Sequence, residues 1–325
     1  MQNYMALDNE HIQTSFGIFG GVKDWKCFPS GELESIRLSE KNMVVTEVGE
    51  LVPFYTETER RKNKPSVEFN KEGMVVAVSL EEQQEVTTPI GEMPAERVKF
   101  YDTGELCRLF VVDGQISGFW SLEEEKQYNI PLTFQLECAE FSALINCIHF
   151  YKSGDIKSIT LYPQEKYISV ATPAGIIDTT IGFSLYPSGK VQSVEPFSPA
   201  ILNTPIGKVV AYDTEPLAIS ADKNSLEFSE DGKITHLVTC DNSVYVQTQE
   251  GVLKSYHPKI KTHPLHDEMQ VVEGLHIRFD YENNQVTIGE EIFSVRDCGF
   301  TVEKFLRPDM HCSPIDCASC SVCQH

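Results

Sequence analysis

The chain has 325 residues, with 48 Asp and Glu against 27 Lys and Arg and a formal net charge of −21. A field of that sign repels phosphate backbones, so nucleic acid is not an expected partner, whereas cations and basic protein surfaces are attracted. The hydrophobic share of 41% and the aromatic share of 10% belong to a folded chain of one large or two ordinary domains.

The first eight residues, Met1–Asp8, lack a basic stretch followed by an apolar one. No later apolar run approaches the ~18 residues of a membrane-crossing helix. A cytoplasmic location without membrane association is the resulting expectation. Thiols stay reduced there. Cys27, Cys107, Cys138, Cys147, Cys240 and Cys298, scattered among apolar neighbours, are therefore read as small buried hydrophobes.

A five-residue pattern recurs from residue 27 onward. It reads Cys27-Phe28-Pro29-Ser30-Gly31, Phe69-Asn70-Lys71-Glu72-Gly73 and Phe100-Tyr101-Asp102-Thr103-Gly104. It returns as Phe150-Tyr151-Lys152-Ser153-Gly154, Leu185-Tyr186-Pro187-Ser188-Gly189 and Phe228-Ser229-Glu230-Asp231-Gly232. Turn-forming residues followed by a Gly that supplies positive φ predict a hairpin at each. Apolar residues follow at fixed offsets, as in Leu33, Ile36 and Leu38, or Leu106, Leu109 and Val111. The first gap is three and the second two, which predicts a bulge or a sheet covered on both faces.

A second turn pattern begins fifteen residues after three of these glycines: Thr46-Glu47-Val48-Gly49, Thr88-Pro89-Ile90-Gly91 and Thr204-Pro205-Ile206-Gly207. Thr172-Pro173-Ala174-Gly175 and Thr248-Gln249-Glu250-Gly251 come slightly later. Each unit thus reads as two hairpins, with the six glycines 42, 31, 50, 35 and 43 residues apart.

The aromatic-then-Gly hairpin resembles the open β-meander repeats of MORN-type proteins and of YwqK-type antitoxin repeat proteins. The resemblance covers about residues 25–255 and implies a scaffold or binding sheet with a protein partner. The expected fold is all-β: an antiparallel sheet of about six hairpin units, open or wrapped, in preference to a β-propeller. The Trp-Asp and Gly-His signatures of propeller blades do not occur.

The third unit breaks the pattern with Gly114-Gln115-Ile116-Ser117-Gly118-Phe119-Trp120 and the run Glu123-Glu124-Glu125. An exposed Trp beside carboxylates suits a partner site; Phe119 and Trp120 as core, with the glutamates solvated, is the other reading. Glu137 to Ile145 has the composition for two helical turns.

Composition shifts near residue 252. His257, His263, His266 and His276, with Asp267 and Glu268 alongside, are candidate ligands for a divalent ion or scattered surface histidines. His276 to Tyr281 and Val286 to Ile288 alternate about an Asn-Asn turn and predict a hairpin. The expected organisation is a β-hairpin repeat domain over 1–255, a terminal hairpin or capping region over 256–306, and a flexible tail over 307–325.

The tail carries the chemistry. Cys317, Cys320 and Cys323 form C-x2-C-x2-C, with Cys312 upstream and His311 and His325 at either side. Two-residue spacers let successive thiolates reach one ion, and Cys312 or a histidine completes four ligands. The run also resembles the start of bacterial ferredoxin ligation, although the chain stops two residues after Cys323 where that family continues to a Cys-Pro. Zinc and an iron–sulfur cluster both stand as cofactors, beside a thiol tail that forms disulfides after isolation. Catalysis at a metal needs a shaped cavity around it, which small spacers do not build, so cargo binding, transfer or sensing is the expected use. Elsewhere no nucleophile elbow, phosphate-binding Gly loop or zinc-protease motif occurs, and Asp213 and Asp222 have no partner identifiable in the sequence. The alternatives kept are a pure interaction scaffold with a zinc-clipped tail and an enzyme with a site between sheet units.

Overall fold

A computed structural model describes residues 3–163, 166–216, 220–263 and 266–306, without the side chains of 263–269. The protein is nearly all β and antiparallel, as the repeat pattern predicts. Its contacts divide into two compact units, Met1–Ser198 with Pro216–Ile234, and Pro199–Glu215 with Thr235–His325.

The first unit is built on an open up-and-down meander of eleven strands. These are β1 (Val22–Cys27), β2 (Leu33–Leu38), β3 (Val67–Phe69), β4 (Val75–Thr88), β5 (Gly91–Phe100), β6 (Leu106–Phe110), β7 (Glu140–Phe150), β8 (Ile156–Leu161), β9 (Gly182–Leu185), β10 (Val191–Val194) and β11 (Leu226–Phe228). Each strand pairs with the one before it in sequence.

All six repeat turns close alike. The second residue donates its N–H to the carbonyl four residues on, and the Gly N–H returns to the second residue, as in Tyr101 to Glu105 and Gly104 to Tyr101. The glycines hold φ between +81° and +103°, which a Cβ disfavours. Thr248-Gln249-Glu250-Gly251, read in sequence as a member of the second pattern, makes this same hydrogen-bond pair.

A bulge resolves the three-then-two spacing. Cys27 faces Leu33 but Lys26 faces Ser35, leaving Glu34 without an opposite number; Val76, Cys107, Lys157 and Gln192 are skipped in the same way. The extra residue returns the next side chain to the first one's face. A row of directly opposed residues results: Ile36, Val67, Val78, Val98, Leu109, Ile148, Ile159, Phe183, Val194 and Leu226. Every one is fully buried. At ~1.5–3 kcal/mol for each large side chain removed from water, this row is the backbone of the core.

Of the second-pattern turns, Thr88–Gly91 joins β4 to β5 within the meander, while Thr46–Gly49 and Thr172–Gly175 close hairpins that branch from it. In Thr46–Gly49, Thr88–Gly91 and Thr172–Gly175 the Thr hydroxyl donates to the Gly carbonyl. The same bond closes Thr14–Gly17 and Thr179–Gly182, which the sequence reading missed. In the hairpin Val44–Leu51 the residues Val44, Val48 and Leu51 are buried, so each branch adds an apolar face to the core.

Glu137–Ile145 is not helical. Glu140–Phe150 is a strand, because Glu140–Leu144 pairs with Pro131–Gln135 and Cys147–His149 pairs with β6 on one side and β8 on the other. The one α-helix among the described residues is α1 (Leu122–Lys126), started by a capping box between Ser121 and Glu124.

The second unit holds β12 (Ile234–Thr239), β13 (Leu275–Asp280), β14 (Gln285–Ile288) and β15 (Glu291–Ser294) in one antiparallel meander. The predicted hairpin is β13–β14, with Asn284 in the left-handed region and Asn283 bonded to Asp280 at its turn. Asn242–Gln247 pairs on one side with Leu253–Tyr256 and on the other with Gly299–Lys304.

Candidate functional site

The tail ligands proposed from sequence, His311, Cys312, Cys317, Cys320, Cys323 and His325, lie outside the described residues. The six other cysteines are free thiols, with Cys138, Cys147 and Cys240 buried and Cys27, Cys107 and Cys298 half-buried. Burial pushes the Cys138 and Cys147 thiols up to about 11, which keeps them protonated and inert.

In the histidine-rich segment, His257 Nδ1 lies 2.8 Å from Ser243 Oγ, and its ring meets Tyr245 edge-on. His276 stacks on His236 with ring nitrogens 3.1 Å apart, and burial with the neighbouring His236 lowers its pKa. The side chains of His263, His266, Asp267 and Glu268 lie outside the described ones. Among the described residues no three His, Cys, Asp or Glu side chains are placed to share a metal ion.

The irregular third unit combines its two sequence readings. Phe119 is 83% exposed, but Trp120 is half-buried and donates its indole N–H to Glu125 at 2.7 Å. Glu125 is only 2% exposed. It also accepts from Arg60 Nε and Nη2, both at 2.7 Å, and from the Gly114 amide. Arg60 bridges on to Glu96, which takes Arg61 Nη2 at 2.8 Å as well. Burial disfavours the Glu125 carboxylate, but the Arg60 and Trp120 hydrogen bonds outweigh it and lower its pKa. Gly114 is obligatory here, since a Cβ would sit 1.9 Å from the Glu125 carboxylate. The insertion is thus locked to the sheet by a buried ion-pair network. Its cationic half comes from Arg60-Arg61-Lys62-Asn63-Lys64, the densest basic run of an acidic chain, a signal the sequence reading passed over.

Asp222 has the partners that sequence could not supply. Its Oδ1 accepts from His149 Nδ1 at 2.8 Å and from Ser158 Oγ at 2.6 Å, while Oδ2 meets Arg108 and, at 3.3 Å, Ser220 Oγ. Arg108, His149 and Ser158 are directly opposed on β6, β7 and β8, one residue out of step with the apolar row and therefore on the other sheet face. That face is polar and is covered by the segment Ser220–Ser225. The Ala221 amide donates to Thr160 Oγ1, Asn224 Nδ2 to Ser193 Oγ, and Ser225 to Glu195. Gly182 admits the segment, because a Cβ there would lie 2.8 Å from that of Ala221. Burial works to raise the Asp222 carboxyl, but bonds from His149, Ser158 and Arg108 overcome it and hold it far below the usual carboxylate range.

An Asp, His and Ser in contact invite comparison with a nucleophilic triad. There the His must accept the Ser proton while the Asp orients the His. Here Ser158 and His149 both bond to one carboxylate oxygen, so the hydroxyl proton points at Asp222 and the relay is missing. The arrangement is chemically a clamp that ties Ser220–Ser225 to three strands. Compared with protein-family models, with curated proteins and with solved structures, the chain matches none.

Proposed function

We propose that the protein is a non-enzymatic accessory or scaffold whose β-repeat sheet binds a protein partner and whose tail ligates a soft metal ion or iron–sulfur cluster. The observation that carries this reading is the division of the cysteines. Three of the six described cysteines are buried, two of them pushed up to about 11, and the other three stand apart half-buried, so the clustered Cys312, Cys317, Cys320 and Cys323 are the thiols best suited to a metal. The branching hairpins support the partner half. They present β-branched apolar side chains outward, Ile18, Val45 and Ile176 among them, each more than half exposed. Recurring exposed apolar groups on equivalent elements suit a protein surface.

The test is anaerobic purification of the full chain, followed by elemental analysis and a visible spectrum, beside a Cys317→Ser/Cys320→Ser variant. The expected outcome is a stoichiometric metal in the parent and loss of it in the variant. Zinc gives a colourless protein, and a cluster gives broad visible absorption. A parent free of zinc and iron overturns the metal half of the reading.

A further inference from the structure

The basic run that anchors the third unit has a second consequence. Glu59–Arg61 forms one 3-10 turn, and Asn63 follows with φ +59°, a left-handed value Asn tolerates. This turns the chain so that Arg60 enters the buried ion-pair network while Arg61 and Lys64 line a cavity of about 350 Å³. Strands β1 and β2 bring Lys23 and Arg37 to the same cavity. Phe54, Tyr55 and Leu38 form an apolar wall.

The charge of the lining runs against that of the protein. Lys23, Arg37, Arg61 and Lys64 all line the cavity, and Glu57 is the only carboxylate that does. Each cation has a carboxylate elsewhere: Asp24 for Arg37, Glu96 for Arg61, Asp113 for Lys64. Those three anions lie outside the lining, so cations outnumber carboxylates along the cavity wall. Glu57 pairs with Lys23 at the mouth, where both are nearly half exposed and exchange with solvent freely.

Two donors are left over. Arg37 gives Nη1 to Asn63 and Nη2 to Asp24 at 2.6 Å, and Arg61 gives its Nη groups to Leu80, Glu81 and Glu96. The Nε–H of each has no acceptor although both are buried, and Arg61 is only 3% exposed. A buried guanidinium N–H without an acceptor is costly, and it leaves the charge of each guanidinium incompletely compensated. Surplus cation donors beside an aromatic wall define the ligand chemistry: an oxyanion head joined to an apolar body.

We infer that this cavity is a binding site for a small organic anion, a phosphate monoester or carboxylate on an aromatic or aliphatic body. The head sits among Lys23, Arg37, Arg61 and Lys64, and the body lies on Phe54 and Leu38. A carboxylate and a phosphate share this chemistry.

Titration calorimetry of the full chain with phenyl phosphate, benzoate and inorganic phosphate, at low and at high salt, tests the site. Saturable binding of phenyl phosphate or benzoate, weakened by salt, is the expected result, and which of the two binds tighter identifies the head group. Arg37→Gln is expected to weaken it about tenfold or more, the worth of a charge-assisted hydrogen bond. Lys23→Gln, at the exposed mouth where folding is not at stake, should weaken it by a smaller factor, while Lys152→Gln, an exposed lysine of the same unit outside the lining, leaves it unchanged. No saturable binding of any probe overturns the proposal. So does equal affinity in the parent and Lys23→Gln together with Arg37→Gln, or inorganic phosphate binding as tightly as phenyl phosphate.

Discussion

One carboxylate, Asp222, collects side chains from three strands and a hydroxyl from its own segment. Asp222→Asn keeps the shape but turns one oxygen into a donor that faces Arg108 or His149. Loss of ~2–3 kcal/mol is expected for charge-assisted bonds of this kind, read as a lower urea midpoint at unchanged slope. The sign of the pH dependence follows from the carboxyl's depressed folded-state pKa. With the unfolded value near ~3.9, the contribution is complete above that pH and fades as the pH falls below it. The gap between parent and Asp222→Asn should therefore be full at pH 7 and narrower at pH 3. A gap that does not change with pH would show that the carboxylate's charge is irrelevant to the clamp. Sequence offered no route to this site. Ser158, His149 and Arg108 lie 64, 73 and 114 residues before Asp222, and register alone brings them together.

At the scale of the element, the repeat turn does two jobs. Its glycine closes the hairpin, and its second residue, where it is Tyr, reaches the next unit. Tyr101 Oη donates to the Phe150 carbonyl, Tyr151 to Leu185 and Tyr186 to Phe228, at 2.7 to 2.9 Å. This ladder explains why Tyr recurs in the middle units. Phe28, Asn70 and Ser229 hold that place where the phenol rung is not made. The two costs of replacing a turn glycine can be separated. Gly189 has φ +81° and open space around it, so Gly189→Ala costs only the left-handed backbone, ~1–2 kcal/mol. Gly154 has φ +93°, and a Cβ there meets that of Pro89 at 2.9 Å, so Gly154→Ala should cost ~1 kcal/mol more. Denaturant melts of both variants check the order, and equal losses would mean that the Thr88–Gly91 hairpin yields freely. These turns were legible because one residue type at one spacing dictates them. The bulge was legible as a mismatch between offsets of three and two. The two helical turns that the composition of Glu137–Ile145 allowed did not form, because pairing of Glu140–Leu144 with Pro131–Gln135 and of Ile145 with Leu161 overrode local propensity. The helix that does form announced itself by Ser121 and Glu124, a capping box that went unread.

For the whole molecule, the net charge of −21 hides an uneven distribution. The basic residues that matter are drawn inward, Arg60 and Arg61 into ion pairs and Arg108 onto Asp222. Those clusters carry their own carboxylates, so the excess negative charge lies outside them, and a field of that sign attracts cations. Among the described residues, the last strand is fully paired before residue 307. Gly299–Lys304 pairs along its whole length with Asn242–Gln247, and the Phe305 amide closes on the Asp241 carbonyl at 2.7 Å. Removing residues 307–325 leaves that strand and its pairing in place. The expected outcome is a far-UV spectrum and a melting temperature within a degree or two of the full chain's. In a chain of this size ~1 kcal/mol shifts the midpoint by only about 2 °C. A metal clip that fastened the tail to the sheet behaves otherwise, since a ligand bound only by the folded state raises its stability with concentration. Melting the full chain with and without a chelator, beside the truncated chain, separates the two. If all three coincide, the fold draws no stability from a metal on residues 307–325, as the delivery or sensing reading requires. If the chelated and truncated proteins melt several degrees lower together, the metal is a structural clip and the transfer reading falls.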